Sequence, residues 1–190
     1  MQVAAVILAA GESSRLGEAK QLVRLGSETL LDRAITAARD ACSRVVVVIR
    51  PPQNDRPDLD IVVNEEWKRG LGSSIRAGVA HVRDCDAVIL MTCDQPLVTA
   101  THLRALINAK SEIAAAEYSG TLGIPAFFAQ AHFHKLLALG DDEGAKKIIF
   151  ANESIVGKVP IPEGAIDIDT PEQLAKFRSE WTTSDSAIQG

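Results

Sequence analysis

Short, densely apolar runs alternate along the chain with segments whose apolar residues recur every three or four positions. Val3 to Ala10 is an unbroken apolar run, the pattern of a strand buried on both faces. Leu30, Leu31, Ala34, Ile35 and Ala38 stand at helical spacing and predict a helix over about Thr29 to Ala41, with Ser27 near its start. Val45 to Ile49 is an unbroken β-branched run, a second buried strand, which Pro51-Pro52 stops. Ile61 to Val63 predicts a third strand. The polar link between the two is at the lower limit for a parallel crossover and has room for one helical turn or none. Next come Gly70 and Gly72 in a loop, then a helix opening at Ser73 or Ser74 with Ile75, Val79 and Val82 inward. Asp86 to Cys93 is the fourth strand and the most apolar.

The second half is more broken. Thr101 to Lys110 predicts a helix with Leu103, Leu106 and Ile107 inward, and His102 exposed near its start without an assigned role. Ile113 to Tyr118 reads as a strand, Gly120 to Gly123 as a turn, and Ile124 to Phe128 as a strand in which Pro125 points to an edge or a bulge. Phe133, Leu136 and Leu137 mark a helix. His132 and His134, two apart, face different directions there and make no metal pair. A polar loop from Leu139 leads to a short helix, Ala145 to Phe150, and Ser154 to Val159 is a further strand. Thr170-Pro171 starts the last helix with a capping hydroxyl and Pro at its first position. Periodicity is lost from about Ser179, so 1–180 is read as one domain and 181–190 as a frayed tail.

The 190 residues suit a single domain, and a 46% apolar fraction is ordinary for a globular one. The net charge of −5 gives no global pull toward nucleic acid or anionic membrane, so an anionic substrate needs a local basic site. Cys42, Cys85 and Cys93 are odd in number and lack metal-ligand spacing, which fits buried thiols in a reducing compartment. No apolar stretch approaches the roughly 18 residues of a membrane span, and no basic region precedes the first strand. A cytoplasmic protein is expected.

Candidate chemistry gathers where apolar runs end. After the first strand come small residues, Ala9-Ala10-Gly11, then Arg15 and Lys20. Successive backbone N–H groups in such a loop can form an anion nest, and the two cations suit a polyphosphate. The loop is neither a dinucleotide fingerprint nor a Walker loop: Gly11 and Gly17 are six apart, and Glu18 stands where the Walker Lys should be. The glycine loop before Ser73 and Ser74 offers helix N-terminal donors, or is an ordinary N-capped helix start. Asp94 ends the fourth strand, where open α/β sheets bind ligands; its carboxylate suits Mg²⁺, or it is a turn-forming Asp before Pro96. Asp167 and Asp169 alternate on one side of an extended segment, as a second metal carboxylate or as helix-start chemistry. Lys146 and Lys147 open the short helix and either meet an anion or stay solvated.

LAAGESSRLGEAKQL resembles the signature loop of the nucleotidyltransferase superfamily, and more narrowly the molybdenum cofactor cytidylyltransferase family. The resemblance continues through Asn64 to Gly78 (N-x-x-W-x-x-G-x-x-S-S-x-x-x-G), Asp94-Gln95-Pro96, Gly123 to Phe128, the segment around Gly140, and Asp167 to Leu174. It implies a three-layer α/β sandwich with a mostly parallel, Rossmann-like sheet of the nucleotide-diphospho-sugar transferase type. It implies that Gly11, Arg15 and Lys20 hold the triphosphate, that Ser74 with Gly70 nearby lies against the base, and that Asp94 binds Mg²⁺ with Asp169 or Asp167. Arg15, Lys20 and Asp94 form the implied catalytic set, with Lys146 on the acceptor side. Ala9-Ala10-Gly11 goes with cytidine in this group, which points to CTP, and the implied acceptor is molybdopterin, with a molybdoenzyme as possible client. The Pro51 to Asp60 link is shorter than in the family, and Lys146 replaces a frequent Arg, a point charge for a bidentate fork. Two other readings remain: the same chemistry on a sugar or polyol phosphate, or a nucleotide-binding maturation protein without turnover.

Overall fold

The computed structural model describes residues 1–11, 20–52 and 56–188, with only the backbone described at residue 20 and from residue 180 onward. β1 (Val3–Leu8) is the axis of the fold. All six of its residues are buried, and their side chains divide between two cores. Ala4, Val6 and Leu8 join one apolar cluster, while Val3, Ala5 and Ile7 join the other. A strand covered on both faces needs this unbroken apolar sequence. Truncating Ile7, fully buried, to Ala is expected to cost about 2–5 kcal/mol.

A two-residue hairpin, β2 (Arg24–Leu25) and β3 (Glu28–Thr29), precedes α1 (Leu30–Ala41). The cap of α1 is Thr29, not Ser27. The Thr29 hydroxyl accepts from the Asp32 N–H at 3.0 Å, and the Asp32 carboxylate accepts from the Thr29 N–H at 3.3 Å, a reciprocal capping box. β4 (Arg44–Ile49) and β5 (Asp60–Val63) pair in parallel. Among the described residues of the link between them there is a turn and no helix. Side chains tie the link to α1: Arg56 reaches Asp32 at 3.1 Å and Asp58 at 3.0 Å, and Arg39 donates to the Asp58 carbonyl at 2.7 Å.

α2 (Leu71–His81) crosses back over the sheet to β6 (Ala87–Thr92), which pairs in parallel with the other edge of β1. α3 (Ala100–Ile107) leads to β7 (Ile113–Tyr118) and β8 (Thr121–Ala129). His102 is not idle: its Nδ1 accepts the Thr99 N–H at 3.2 Å, closing the cap of α3. α4 (Phe133–Leu137), α5 (Ala145–Ala151), β9 (Gly157–Pro160) and α6 (Pro171–Ile188) complete the chain. The backbone of α6 is helical to Ile188; its start is as read from the sequence, with Pro171 at the first position and the Thr170 hydroxyl accepting the Gln173 N–H at 3.3 Å.

The seven-stranded sheet has the order β5-β4-β1-β6-β8-β7-β9. Pairs β4–β5, β1–β4, β1–β6 and β7–β9 are parallel, and β8 runs antiparallel to both neighbours. β8 is therefore an interior strand, and Pro125 is accommodated by a bulge: Ala115 faces Ala126, but Ala116 faces Gly123. The two clusters on either face of the sheet make a three-layer α/β sandwich. A third cluster joins Val23, Leu25 and Leu30 to Ile168, Leu174 and Phe177, so α6 closes over the hairpin. The three cysteines form no disulfide; Cys85 and Cys93 are buried and Cys42 half-buried, and burial raises the Cys42 thiol to about 12. Among the described residues no helix is long and apolar enough to cross a membrane.

Candidate active site

From β1 the chain winds outward to β4 and β5, then returns to place β6 on the opposite side of β1. The carboxyl ends of β1 and β6 thus flank the point where the winding reverses, the position at which open α/β sheets form a crevice. A cleft of about 650 Å³ lies there, in the size range of small-molecule sites. Leu8 to Gly11 line it from the end of β1, Thr92 to Asp94 from the end of β6, and Trp67, Lys68, Gly70, Leu71 and Ser74 from the approach to α2 and its first turn.

The cleft brings together Ala9, Ala10, Gly11, Gly70, Ser74 and Asp94. Ala9 is anchored by its N–H, which donates to the Val48 carbonyl at 2.8 Å, so the loop leaves β1 in a fixed direction. Arg15 falls outside the described residues. Lys20 begins a short 3₁₀ turn, Lys20–Leu22, and its side chain is likewise outside them. Gln21, from that turn, is buried and lines the cleft.

α2 begins at Leu71, two or three residues before the serines. Gly70 caps it through its backbone, at φ 117°, a conformation that favours glycine. Its first N–H groups are not all free for a ligand: the Gly72 N–H donates to the Asp141 carbonyl at 2.8 Å. The loop from Leu139 to Gly144 lies so close that a Cβ at Gly72 would collide with the Gly140 carbonyl. Arg69 donates to Asp141 at 2.9 Å and Arg76 at 2.6 Å, and the two guanidiniums, Arg76 first, hold the Asp141 carboxyl below the usual carboxylate range. Trp67, at the mouth, carries the Arg50 guanidinium 5.1 Å and the Lys68 ammonium 5.6 Å from its ring centre, within cation–π reach.

Asp169 and Lys146 do not line this cleft. They belong to an adjoining wall. The Ile168 N–H donates to the Asp94 carbonyl at 2.9 Å, and Ile168 is buried. That bond lays Asp167-Ile168-Asp169 alongside Asp94. The Asp169 N–H is used in the α6 cap, donating to Gln173 at 2.8 Å. Burial raises the Tyr118 hydroxyl, and the negative charges of Asp167 and Asp94 add to the rise, so these three groups share one neighbourhood. The Tyr118 ring is fixed between two glycines. A Cβ at Gly164 would stand 2.9 Å from the ring, and one at Gly123 would collide with the hydroxyl, with the Lys146 stem 3.1 Å away. Lys146 is exposed here, whereas Lys147 pairs with Glu143.

Two amides, Asn64 buried and Gln95 half-buried, went unassigned in the sequence although both lie in its motifs. Gln95, next to Asp94, donates from Nε2 to the Ile124 carbonyl at 3.1 Å and the Gly164 carbonyl at 2.8 Å, where β8 splays from β6. Its Oε1 is buried and accepts no hydrogen bond among the described residues. Asn64 is 5% exposed and binds both Ser73 and Ser74. Position beside Asp94 was the only sequence signal for Gln95; nothing but the motif pointed to Asn64.

Comparison with known proteins agrees with this architecture. The chain is 30% identical over 195 residues to the purine catabolism protein PucB of Bacillus subtilis (strain 168), covering 91% of this chain and 94% of that one. It is 23% identical over 185 residues to the molybdenum cofactor cytidylyltransferase of Escherichia coli (strain K12), covering 93% and 96%. Rv0371c from Mycobacterium tuberculosis H37Rv superposes with a TM-score of 0.81 at 28% identity over 94% of this chain and 97% of that one. Its structure in complex with manganese gives 0.77 at 25% identity over 94% and 99%. The sheet order and flanking helices match the nucleotide-diphospho-sugar transferase fold of these neighbours. The family model described as the MobA-like NTP transferase domain matches residues 5–155, and the chain belongs to that nucleotidyltransferase family.

Proposed function

We propose that the protein transfers CMP from CTP to the phosphate of molybdopterin, releasing pyrophosphate. The observation that carries this reading is the single cleft at the carboxyl ends of β1 and β6, where Ala10, Ser74 and Asp94 line one space. Ala10 is 3% exposed and still lines the cleft, so its methyl is a fixed part of the slot and disfavours a purine. Similarity to the E. coli molybdenum cofactor cytidylyltransferase supports the acceptor.

The residues fit a divalent cation. Asp94, Asp167 and Asp169 supply hard oxygen donors from two segments joined by a backbone hydrogen bond. Among the described residues no three acidic, His or Cys side chains cluster closely enough to hold an ion alone. Phosphate oxygens and water would therefore complete the shell, as Mg²⁺ usually requires. Manganese in the complex of Rv0371c supports the same assignment. Asp94, with Asp169 or Asp167, would hold Mg²⁺, which would offset the charge of the triphosphate.

In the proposed reaction an oxygen of the acceptor phosphate attacks the α-phosphorus of CTP, and the bond from that phosphorus to the bridging oxygen breaks. Pyrophosphate carries away the electron pair. The acceptor phosphate is ionised at neutral pH, so positioning and charge neutralisation matter more than a general base. Lys20 is assigned to the α-phosphate, Arg15 to the departing pyrophosphate, Gly11 to backbone contact with phosphate, and Gly70 and Ser74 to the base side. Tyr118, Lys146 and Asp167 face the acceptor.

A second reading keeps the chemistry and changes the acceptor to another small phosphate. The identity to PucB, 30% against 23% for the cytidylyltransferase, favours keeping it in view. Product analysis decides. The protein with Mg²⁺ and each NTP is expected to release pyrophosphate with CTP only when molybdopterin is present. Release with GTP and not CTP overturns the base assignment, and release with a sugar phosphate but not the pterin selects the second reading.

A further inference from the structure

Asn64 follows β5 directly, and its N–H continues the ladder by donating to the Ile49 carbonyl at 2.8 Å. Its side chain is buried and fully engaged. Oδ1 accepts the Glu66 N–H at 3.0 Å, which fixes the orientation of the amide. Nδ2 then donates to Ser73 Oγ at 2.9 Å and to Ser74 Oγ at 3.0 Å. The Ser73 hydroxyl has its own acceptors, the carbonyls of Gly70 at 2.8 Å and Glu66 at 3.1 Å. The Ser74 hydroxyl accepts from Asn64, and among the described residues no acceptor for its proton stands within hydrogen-bond distance. A hydroxyl carries one proton. With a lone pair of Ser74 turned to the amide, that proton is left to donate, and Ser74 lines the cleft.

We propose that Asn64 is a specificity-determining positioning residue: it fixes Ser74 as a hydrogen-bond donor toward the nucleotide base, so the site reads an acceptor atom on the base edge. This rests on the nucleotide reading of the cleft. The polarity is set in sequence, from the Glu66 N–H through the Asn64 amide to the Ser74 hydroxyl. Asn64→Asp keeps the shape and the bond to Glu66 but replaces two donated protons by an acceptor. The Ser74 hydroxyl then turns its proton toward residue 64 and shows the base a lone pair, opposing an acceptor atom there.

Titration calorimetry with CTP and with inorganic tripolyphosphate, both with Mg²⁺, tests this on the wild type, Asn64→Asp, Asn64→Ala, Ser74→Ala and the Asn64→Asp/Ser74→Ala double variant. Tripolyphosphate reports the phosphate loop without the base. Asn64→Asp and Ser74→Ala are each expected to weaken CTP about tenfold with tripolyphosphate unchanged. The double variant should bind CTP no more weakly than Ser74→Ala alone, because Asn64 acts through Ser74. Asn64→Ala, which buries no charge, covers the case in which Asn64→Asp does not fold, and should weaken CTP about threefold. Wild-type CTP affinity in either Asn64 variant, additive losses in the double variant, or an equal loss for tripolyphosphate overturns the proposal. If the wild type prefers another NTP, the CTP assignment falls, and the same cycle on that nucleotide decides the role of Asn64.

Discussion

The two walls of the candidate site are built differently. Besides Gln21, the wall proposed for the nucleotide takes three segments that each run straight out of, or into, an element beside the winding reversal: Leu8 to Gly11 after β1, Asn64 to Ser74 into α2, and Thr92 to Asp94 after β6. Backbone bonds fix their directions, as with Ala9 on Val48 and Asn64 on Ile49. The wall proposed to face the acceptor takes Tyr118, Gly123, Lys146, Gly164 and Asp167 from scattered segments. It is held by side chains bonding to backbone, Tyr118 and Gln95 on Ile124 and Gln95 on Gly164, where the antiparallel β8 leaves β6. A change in the first wall should therefore reach every step that needs nucleotide. A change in the second should be confined to the acceptor.

The largest expected effect tests the residue at the seam. Asp94, two residues past β6, lines the wall proposed for the nucleotide, and its carbonyl holds Ile168 at the edge of the other wall. Asp94→Ala should lower CTP-dependent pyrophosphate release by about 10²–10³-fold, the scale of removing one charge-stabilising group. Its melting temperature should stay close to that of the wild type, since the backbone bond to Ile168 remains. Unchanged turnover would remove Asp94 from the proposed catalytic set, and no turnover in the wild type would favour a binding protein without catalysis.

Gly72 is where the walls touch. Gly72→Ala would push its new methyl against the Gly140 carbonyl and bring it to 3.0 Å from the Asp141 carbonyl, displacing the loop that leads to Lys146. The expected cost is about 1–3 kcal/mol in denaturant unfolding, with raised KM for both CTP and acceptor. A rise for one substrate alone would show that the loop does not join the two walls. Lys146→Ala should act on one side only. It should raise acceptor KM about tenfold, as for a lost charge-assisted hydrogen bond, and leave CTP KM as it was. Equal effects on both would break the division.

The same contrast explains what could be read from the chain beforehand. β1, β4 after Arg44 and β6 as far as Met91 are apolar throughout because both faces of the parallel sheet are covered, so the positions of Ala9, Gly11 and Asp94 at the strand ends followed from pattern. The start of α2 was misplaced because Gly70 caps it by backbone conformation, while Ser73 and Ser74, good capping residues by type, lie inside the first turn. The β2–β3 hairpin has two residues per strand, too few for any period to register. Asn64 and Gln95 act through partners that only the fold supplies; Gln95 and Gly164 are 69 residues apart. No local pattern could show that Tyr118 packs between Gly123 and Gly164, or that Asp167 and Asp94 share its surroundings.

The smallest expected effect concerns the clasp between Asp141 and the two arginines of α2. Arg76 and Arg69 depress the Asp141 carboxyl below its usual value. A group whose pKa is lowered on folding contributes its stability above the unfolded value, about 3.9 for Asp, and loses it as pH falls through the lower folded value. From pH 8 to 5 the clasp is therefore constant. The difference in melting temperature between the wild type and Asp141→Asn should be flat over that range and should shrink below about pH 4. The ion pairs are open to solvent, so the difference itself should be small and should diminish further in high salt. The Gly72 N–H bond to the Asp141 carbonyl survives the substitution, which limits the rise in CTP KM to a few-fold. A difference that varies between pH 5 and 8 would mean that a group other than Asp141 governs how the loop is held against the nucleotide wall.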